Sequence, residues 1–142
     1  MSSKTLRTAI IDALEASSWI TTAGIDVFDL DGSTEAAAAF EGDLRESTGA
    51  VVCVSQTLKR QRMNDAARSK RILLANTIKV VLRINTGVSS LDLDDGCDAI
   101  MSALSGLMSN GAPVQISGDS ELVKDSAGIL TAHVNVVGNV LL

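Results

Sequence analysis

Residues 72–85, with the sequence ILLANTIKVVLRIN, decide the fold class. From position 78 onward, apolar residues occupy every second place: Ile78, Val80, Leu82 and Ile84. Successive side chains of a strand point to opposite faces of its sheet. The alternation therefore predicts an antiparallel strand that is covered on one side.

Other segments predict further strands of the same sheet. The final run ILTAHVNVVGNVLL (129–142) also alternates, with Leu130, Ala132, Val134, Val136, Val140 and Leu142 on one face. The run AVVCVS (50–55) is apolar at almost every position, which predicts a central strand buried on both faces. IDVFDL (25–30), PVQIS (113–117) and ELVKD (121–125) predict shorter strands.

Three segments predict helices. Residues 3–18 repeat Leu6, Ile10 and Leu14 every four positions, and a turn is expected at 21–24. The segment 34–47 has helical composition. In 91–109 we predict an inner stripe, with Asn110-Gly111 ending the helix. The stripe consists of Cys97, Ile100, Met101, Leu104, Leu107 and Met108.

The order of these elements predicts an α+β fold. We expect one domain, 1–142, with two to three helices packed on one face of an antiparallel sheet. A chain of 142 residues is an ordinary size for a single domain. No window approaches 18 uninterrupted apolar residues, so no membrane span is expected. Asp12 and Glu15 interrupt the apolar start of the chain, which argues against a secretion signal.

Few residues in the chain are suited to catalysis or metal binding. It has one His, two Cys and no Tyr. A nucleophilic pair of His133 with Cys53 or Cys97 is conceivable, but two buried thiols explain the cysteines better. Four acidic residues near the start of the third predicted helix fit its dipole without a metal: Asp92, Asp94, Asp95 and Asp98. We therefore expect no catalytic residue, no metal and no cofactor.

Residues 57–71, which we call the cationic arm, differ from the rest of the chain. They contain six of the chain's 12 basic residues, opposed only by Asp65, so their net charge is +5 and the remainder carries −10. The six are Lys59, Arg60, Arg62, Arg68, Lys70 and Arg71. Because the arm has little apolar content, we expect it to form a long hairpin tip or an exposed arm between two strands.

Three interpretations of the cationic arm compete. It could bind nucleic acid through phosphate contacts, although it has no aromatic residue for stacking and the acidic remainder would repel a polyanion. It could be a solvated loop. The interpretation that we favour is a protein contact, in which the arm lies on the acidic surface of another copy of the chain. Such a head-to-tail contact makes a ring if its rotation closes.

The succession of segments resembles a known family. The helix TLRTAIIDALEAS, the segment FEGDLREST before AVVCVS, the arm, the strand IKVVLRINTG and the helix LDDGCDAIMSALSGL occur in the order found in tail terminator proteins of long-tailed bacteriophages. The likeness extends to the neck proteins of Mu-like contractile phages. It covers nearly the whole chain as an order of elements, without an invariant motif.

The resemblance implies a structural role in the virion tail or neck, after assembly in the host cytoplasm. Such proteins form hexameric rings on the head-proximal end of the tail tube, stop its growth and join it to the head connector. The implied partners are further copies of the chain, the tube protein, the sheath protein and the connector, with DNA passing through the ring without specific binding. The arm at 57–71 would lie in the subunit or tube contact.

Two other roles remain open at this point. One is a head–tail adaptor, and the other is a nucleic-acid-associated accessory protein that uses the arm. The arm is more basic than the resemblance leads one to expect, so it could face either protein or DNA.

Overall fold

A computed structural model describes residues 3–29, 49–62, 73–109, 112–124 and 128–141. The helices are α1 (Ser3–Glu15), α2 (Ser18–Ala23) and α3 (Leu93–Leu104). The longer strands are β2 (Ala50–Arg62), β3 (Leu73–Asn85), β6 (Gln115–Lys124) and β7 (Ile129–Leu141), and the shorter ones are β1 (Asp26–Asp29), β4 (Met108–Ser109) and β5 (Ala112–Pro113). The predicted helix at 34–47 lies outside the described residues. None of the helices in the described ranges has the length and apolarity needed to cross a bilayer.

Five strands form one sheet in the order β1-β2-β3-β7-β6. The α+β class is confirmed, but the sheet is mixed, because β1 pairs in parallel with β2 while the other neighbours are antiparallel. The prediction of a wholly antiparallel sheet is wrong for this pair. Parallel neighbours need a connection of about a dozen residues or more, and residues 30–49 provide the necessary length.

The core lies along one face of this sheet. The predicted alternation in β3 is confirmed, since Ile78, Val80, Leu82 and Ile84 are fully buried. Register aligns them with the apolar rows of β2 and β7, so that Leu82 pairs with both Val52 and Ala132. Buried residues of the three helices belong to the same cluster: Leu6, Ile10, Leu14, Ile20, Leu93, Cys97, Ile100 and Leu104. Each fully buried Leu or Ile contributes roughly 1.5–3 kcal/mol to folding.

The prediction that the start of β2 is buried on both faces is also confirmed. Val51 and Cys53 alternate with the core residues of β2, yet they are 0% and 3% exposed. With Phe28 and Ile129 they form a second apolar cluster. The strand is therefore central both in the order of the sheet and in its burial.

The helices differ from prediction at their ends. The first helix ends at Glu15 rather than at residue 18, and the predicted turn at 21–24 instead begins within α2, which ends at a left-handed Gly24 (φ 68°). The third helix ends at Leu104, followed by Gly106 at φ 90°. Beyond it Met108 pairs with Pro113 and is 50% exposed, so Met108 is not part of the inner stripe.

Candidate interaction surface

The first part of the cationic arm is a continuation of β2. We predicted that this strand ends at Ser55, but it continues to Arg62, so Lys59, Arg60 and Arg62 lie in its last four residues. Arg68, Lys70 and Arg71 lie outside the described residues. The cations at the end of β2 therefore have a backbone whose position is set by strand pairing.

This part of β2 belongs to an antiparallel hairpin. Arg60 pairs with Asn76 and Arg62 with Leu74. β3 in turn pairs with β7 over the same stretch, where Leu74 lies opposite Val140. The register shifts between Gln56 and Arg60, where β2 advances by four residues and β3 by two. Such bulges bend a strand and increase its twist, which changes the direction in which the end of β2 leaves the sheet.

Beyond β1, none of the described strands covers the outer edge of β2. The pairing of β1 with β2 covers only Val51–Val54. From Ser55 to Arg62, no other strand in the described ranges pairs with that edge. An open edge presents unpaired N–H and C=O groups, and basic side chains are one of the features that keep such edges from pairing indiscriminately.

Helix α3 and the chain around it have the opposite charge character. No Lys or Arg occurs in residues 8–44 or 84–123, and these stretches contain α2, α3 and most of α1. Arg7 precedes the first stretch, and its Nη1 lies 3.5 Å from Oδ1 of Asp29. Helix α3 therefore presents acidic side chains without a neighbouring cation in its own sequence, whereas α1 contains both signs of charge.

The acidic residues at the start of α3 have a structural role. Asp92 is the N-cap, and its Oδ1 accepts a hydrogen bond from the backbone N–H of Asp94 at 3.1 Å. Asp94 and Asp95 follow in the first turn, where the helix dipole favours negative charge. Among the residues that the structure describes, no group of three His, Cys, Asp or Glu side chains is placed to hold a metal ion.

A groove lies beside these acidic residues. It has a volume of about 440 Å³ and is lined by Ser18, Trp19, Thr22, Ala23 and Leu91. One wall is α2, and the other is the segment immediately before the Asp92 cap. The side chain of Trp19 is half-buried and lines this groove.

The sheet separates the residues that could form a nucleophilic pair. Cys97 belongs to the core cluster, whereas His133 alternates with the core residues Ala132 and Val134 and so faces the other side. Cys53 shares the face of His133, but Val81 lies between them in the register. Two strand spacings separate the backbones of Cys53 and His133 by roughly 9.5 Å.

The Cys97 thiol is poorly suited to nucleophilic chemistry. Burial raises its pKa above the ordinary value of 9.0, and the charges of Asp98 and Asp94 raise it further. Since the thiolate is the reactive form, Cys97 remains a protonated, inert thiol near neutral pH. Its contribution is packing within the core.

The sequence matches no protein-family model and no curated protein.

Proposed function

We propose that this protein is a structural subunit of a phage tail, which forms a ring on the head-proximal end of the tail tube and joins the tube to the head connector. The observation that carries the proposal is the division of charge between two parts of the fold. Basic residues are concentrated at the end of the β2–β3 hairpin, whereas residues 84–123, which include α3 and its acidic first turn, contain no Lys or Arg.

The positions of the two charged regions favour a contact between copies. The end of β2 is at Arg62, opposite Leu74, whereas α3 packs against the region of Leu82 through Gly96. Between Leu74 and Leu82 the sheet extends roughly 26 Å. An attraction between surfaces this far apart joins one copy to the next in a head-to-tail manner, and repeated head-to-tail contacts close into a ring when the rotation permits.

The details of the proposed assembly come from the resemblance in the order of elements. From it come the hexameric ring, the tube, sheath and connector as partners, and a DNA channel. An acidic protein body agrees with such a channel, because it repels the phosphates of passing DNA instead of binding them.

A second role is favoured by one specific observation. Lys59, Arg60 and Arg62 occur within four residues of one strand, and such a density of cations also suits a nucleic-acid backbone. A nucleic-acid-associated accessory protein would bind duplex DNA with an affinity that falls steeply with salt. The structural proposal expects no such binding at physiological salt.

The experiment is a charge reversal in the full chain. The variant carries Arg60→Glu, Arg62→Glu, Arg68→Glu and Lys70→Glu. We expect the wild type to form rings or bind tail tubes in size-exclusion chromatography with light scattering, and the variant to remain a folded monomer. The control, Lys4→Glu, Arg45→Glu, Lys79→Glu and Lys124→Glu, makes the same change in net charge outside the arm and should still assemble.

The possible results separate the two roles. In one result, the wild-type chain stays monomeric, fails to bind tail tubes and binds a labelled DNA duplex through the arm. That result would support the accessory role and contradict the structural one. Normal assembly of the arm variant would exclude the arm from the contact.

A further inference from the structure

The groove beside α2 combines an apolar lining with an acidic rim. Trp19, Ala23 and Leu91 supply the apolar lining, and each is only half-buried. Asp92 follows Leu91 directly and is exposed. An apolar recess of about 440 Å³ next to such a carboxylate suits a ligand that offers an apolar side chain flanked by cations.

A second exposed carboxylate belongs to the residue next to Gly96 in α3, and Gly96 lies against the indole of the groove. A Cβ atom on Gly96 would lie 2.7 Å from Cη2 of Trp19, so Gly96 is adjacent to the indole. Asp95 precedes Gly96 in α3 and is exposed. Cations are absent from residues 8–44 and 84–123, which include every lining residue, so no neighbour in sequence neutralises this rim.

The cationic arm has the complementary chemistry. It contains Leu58 and Met63, and the cations Lys59, Arg60 and Arg62 lie between them. A methionine side chain is flexible and polarisable, and it adapts to irregular apolar recesses. Arginine is also enriched at protein interfaces, where it pairs with carboxylates in a bidentate manner.

The described end of β2 lies far from the groove of the same molecule. The groove lies beside Leu82 of β3, because its residue Trp19 and Leu82 both lie next to Gly96. The end of β2, at Arg62, lies opposite Leu74 of the same strand β3. These levels are roughly 26 Å apart along the strands. The backbone of a ten-residue loop that begins and ends at the far level extends at most roughly 20 Å from it.

We propose that this groove receives the cationic arm of a second copy of the chain. The inference rests on the proposed head-to-tail ring and names its acceptor surface: apolar arm residues enter the recess at Trp19, and arm cations face Asp92 and Asp95. Each copy then gives its arm to one neighbour and its groove to the other, which is the requirement of a heterologous contact.

Trp19 provides a direct test, because it is the only tryptophan in the chain. A synthetic peptide of residues 57–72 is titrated into the full-length arm charge-reversal variant, which is expected to stay monomeric with its groove unoccupied, at low ionic strength while the Trp19 emission is recorded. We expect a saturable blue shift, since the arm removes water from the exposed part of the indole, and we expect the shift to weaken as salt is added. A peptide with Arg60, Arg62, Arg68 and Lys70 changed to Glu should give no shift.

Matched variants of α2 localise the contact. Thr22 lines the groove and Thr21 does not, yet both are exposed neighbours in the same helix. We expect Thr22→Arg to weaken peptide binding by about tenfold or more, because it places a like charge in the arm's path, and Thr21→Arg to change it by less than about twofold. Thr21→Arg also loses hydroxyl hydrogen bonds to the Glu15 and Ser17 carbonyls, so it controls for general weakening of α2.

The outcomes distinguish this inference from the proposed function. Ring assembly that survives Thr22→Arg, with Trp19 emission unchanged by the peptide, would overturn the groove as the acceptor while leaving the ring intact. Peptide binding at Trp19 in a chain that never assembles would support the groove and contradict the ring. A peptide that shifts Trp19 equally in both threonine variants would also overturn the groove.

Discussion

Gly96 lies on the inner side of α3, where the space admits a hydrogen atom but not a methyl group. A Cβ atom built at this position would lie 2.5 Å from Cδ2 of Leu82 and 2.7 Å from Cη2 of Trp19. Leu82 is fully buried, and the indole is rigid, so neither atom has an easy way to move. The close approach of α3 to the sheet therefore depends on the missing side chain.

We expect Gly96→Ala to destabilise the protein by up to about 2 kcal/mol. Alanine gains about 1 kcal/mol of helix propensity over glycine, but overpacking of a filled core costs about 1–3 kcal/mol. Urea unfolding followed by Trp19 emission measures the difference. Ser102→Ala, at an exposed position of α3, should change stability by less than about 0.5 kcal/mol. A stabilised Gly96→Ala protein would show that the helix moves away from the sheet without cost.

The elements that could be predicted from the sequence are those in which the apolar periodicity matches the buried face. The alternation in β3 and β7 corresponds to buried rows, and the stripe of α1 corresponds to its buried face. The interruption after Glu15 could not be predicted, because no Gly or Pro marks it. There Ser17 donates its N–H to Leu14 and the Thr21 hydroxyl donates to the Ser17 carbonyl, so a new helix begins at Ser18.

The pairing of the strands was harder to predict from the sequence than their positions in the chain. Nothing in IDVFDL distinguishes a parallel from an antiparallel neighbour, since the direction depends on where the intervening chain runs. The continuation of β2 to Arg62 was also missed, because charged residues there lack the apolar alternation that signals a strand. Instead of apolar alternation, pairing with β3, which begins at Leu73, keeps this part of β2 extended.

The cap of α3 leads to a prediction at the level of a helix. Asp92 accepts the hydrogen bond of the Asp94 N–H at the N-terminus. We expect Asp92→Ala to cost about 1 kcal/mol of unfolding free energy, and Asp92→Asn to cost only a few tenths, because the amide oxygen accepts the same bond. Thermal unfolding by circular dichroism compares the two. Equal losses in both variants would mean that the charge, not the hydrogen bond, supports the helix.

At the scale of the whole molecule, one of the two parts of the candidate surface could be predicted from the sequence. The cationic arm is evident from composition, because six cations in fifteen residues stand out in an acidic chain. The groove is not evident, since Trp19 and Leu91 are far apart in sequence and meet only when α2 packs near the start of α3. A surface assembled from distant segments has no local pattern by which it could be recognised.

A charge exchange tests whether the arm and the helical layer attract each other. Arg60→Glu with Arg62→Glu should weaken assembly, and so should Asp95→Arg with Asp98→Arg, whose aspartates are exposed on α3. If the two regions meet, the chain with all four changes restores opposite charges in exchanged positions. We expect it to assemble better than either parent, with a coupling free energy of about 1–3 kcal/mol from light-scattering isotherms.

Salt should act on this coupling in a defined direction. The Debye length shortens from about 14 Å at 0.05 M to about 4 Å at 0.5 M, so added salt should weaken assembly of the wild type and of the exchanged chain alike. The two parent variants contain like charges at the contact, and screening should relieve their repulsion. The chain with all four changes could instead be as weak as the two defects added together, at every salt concentration. The attraction between arm and helices would then have no part in the assembly, because the free-energy effects of independent sites add, whereas those of sites in contact do not.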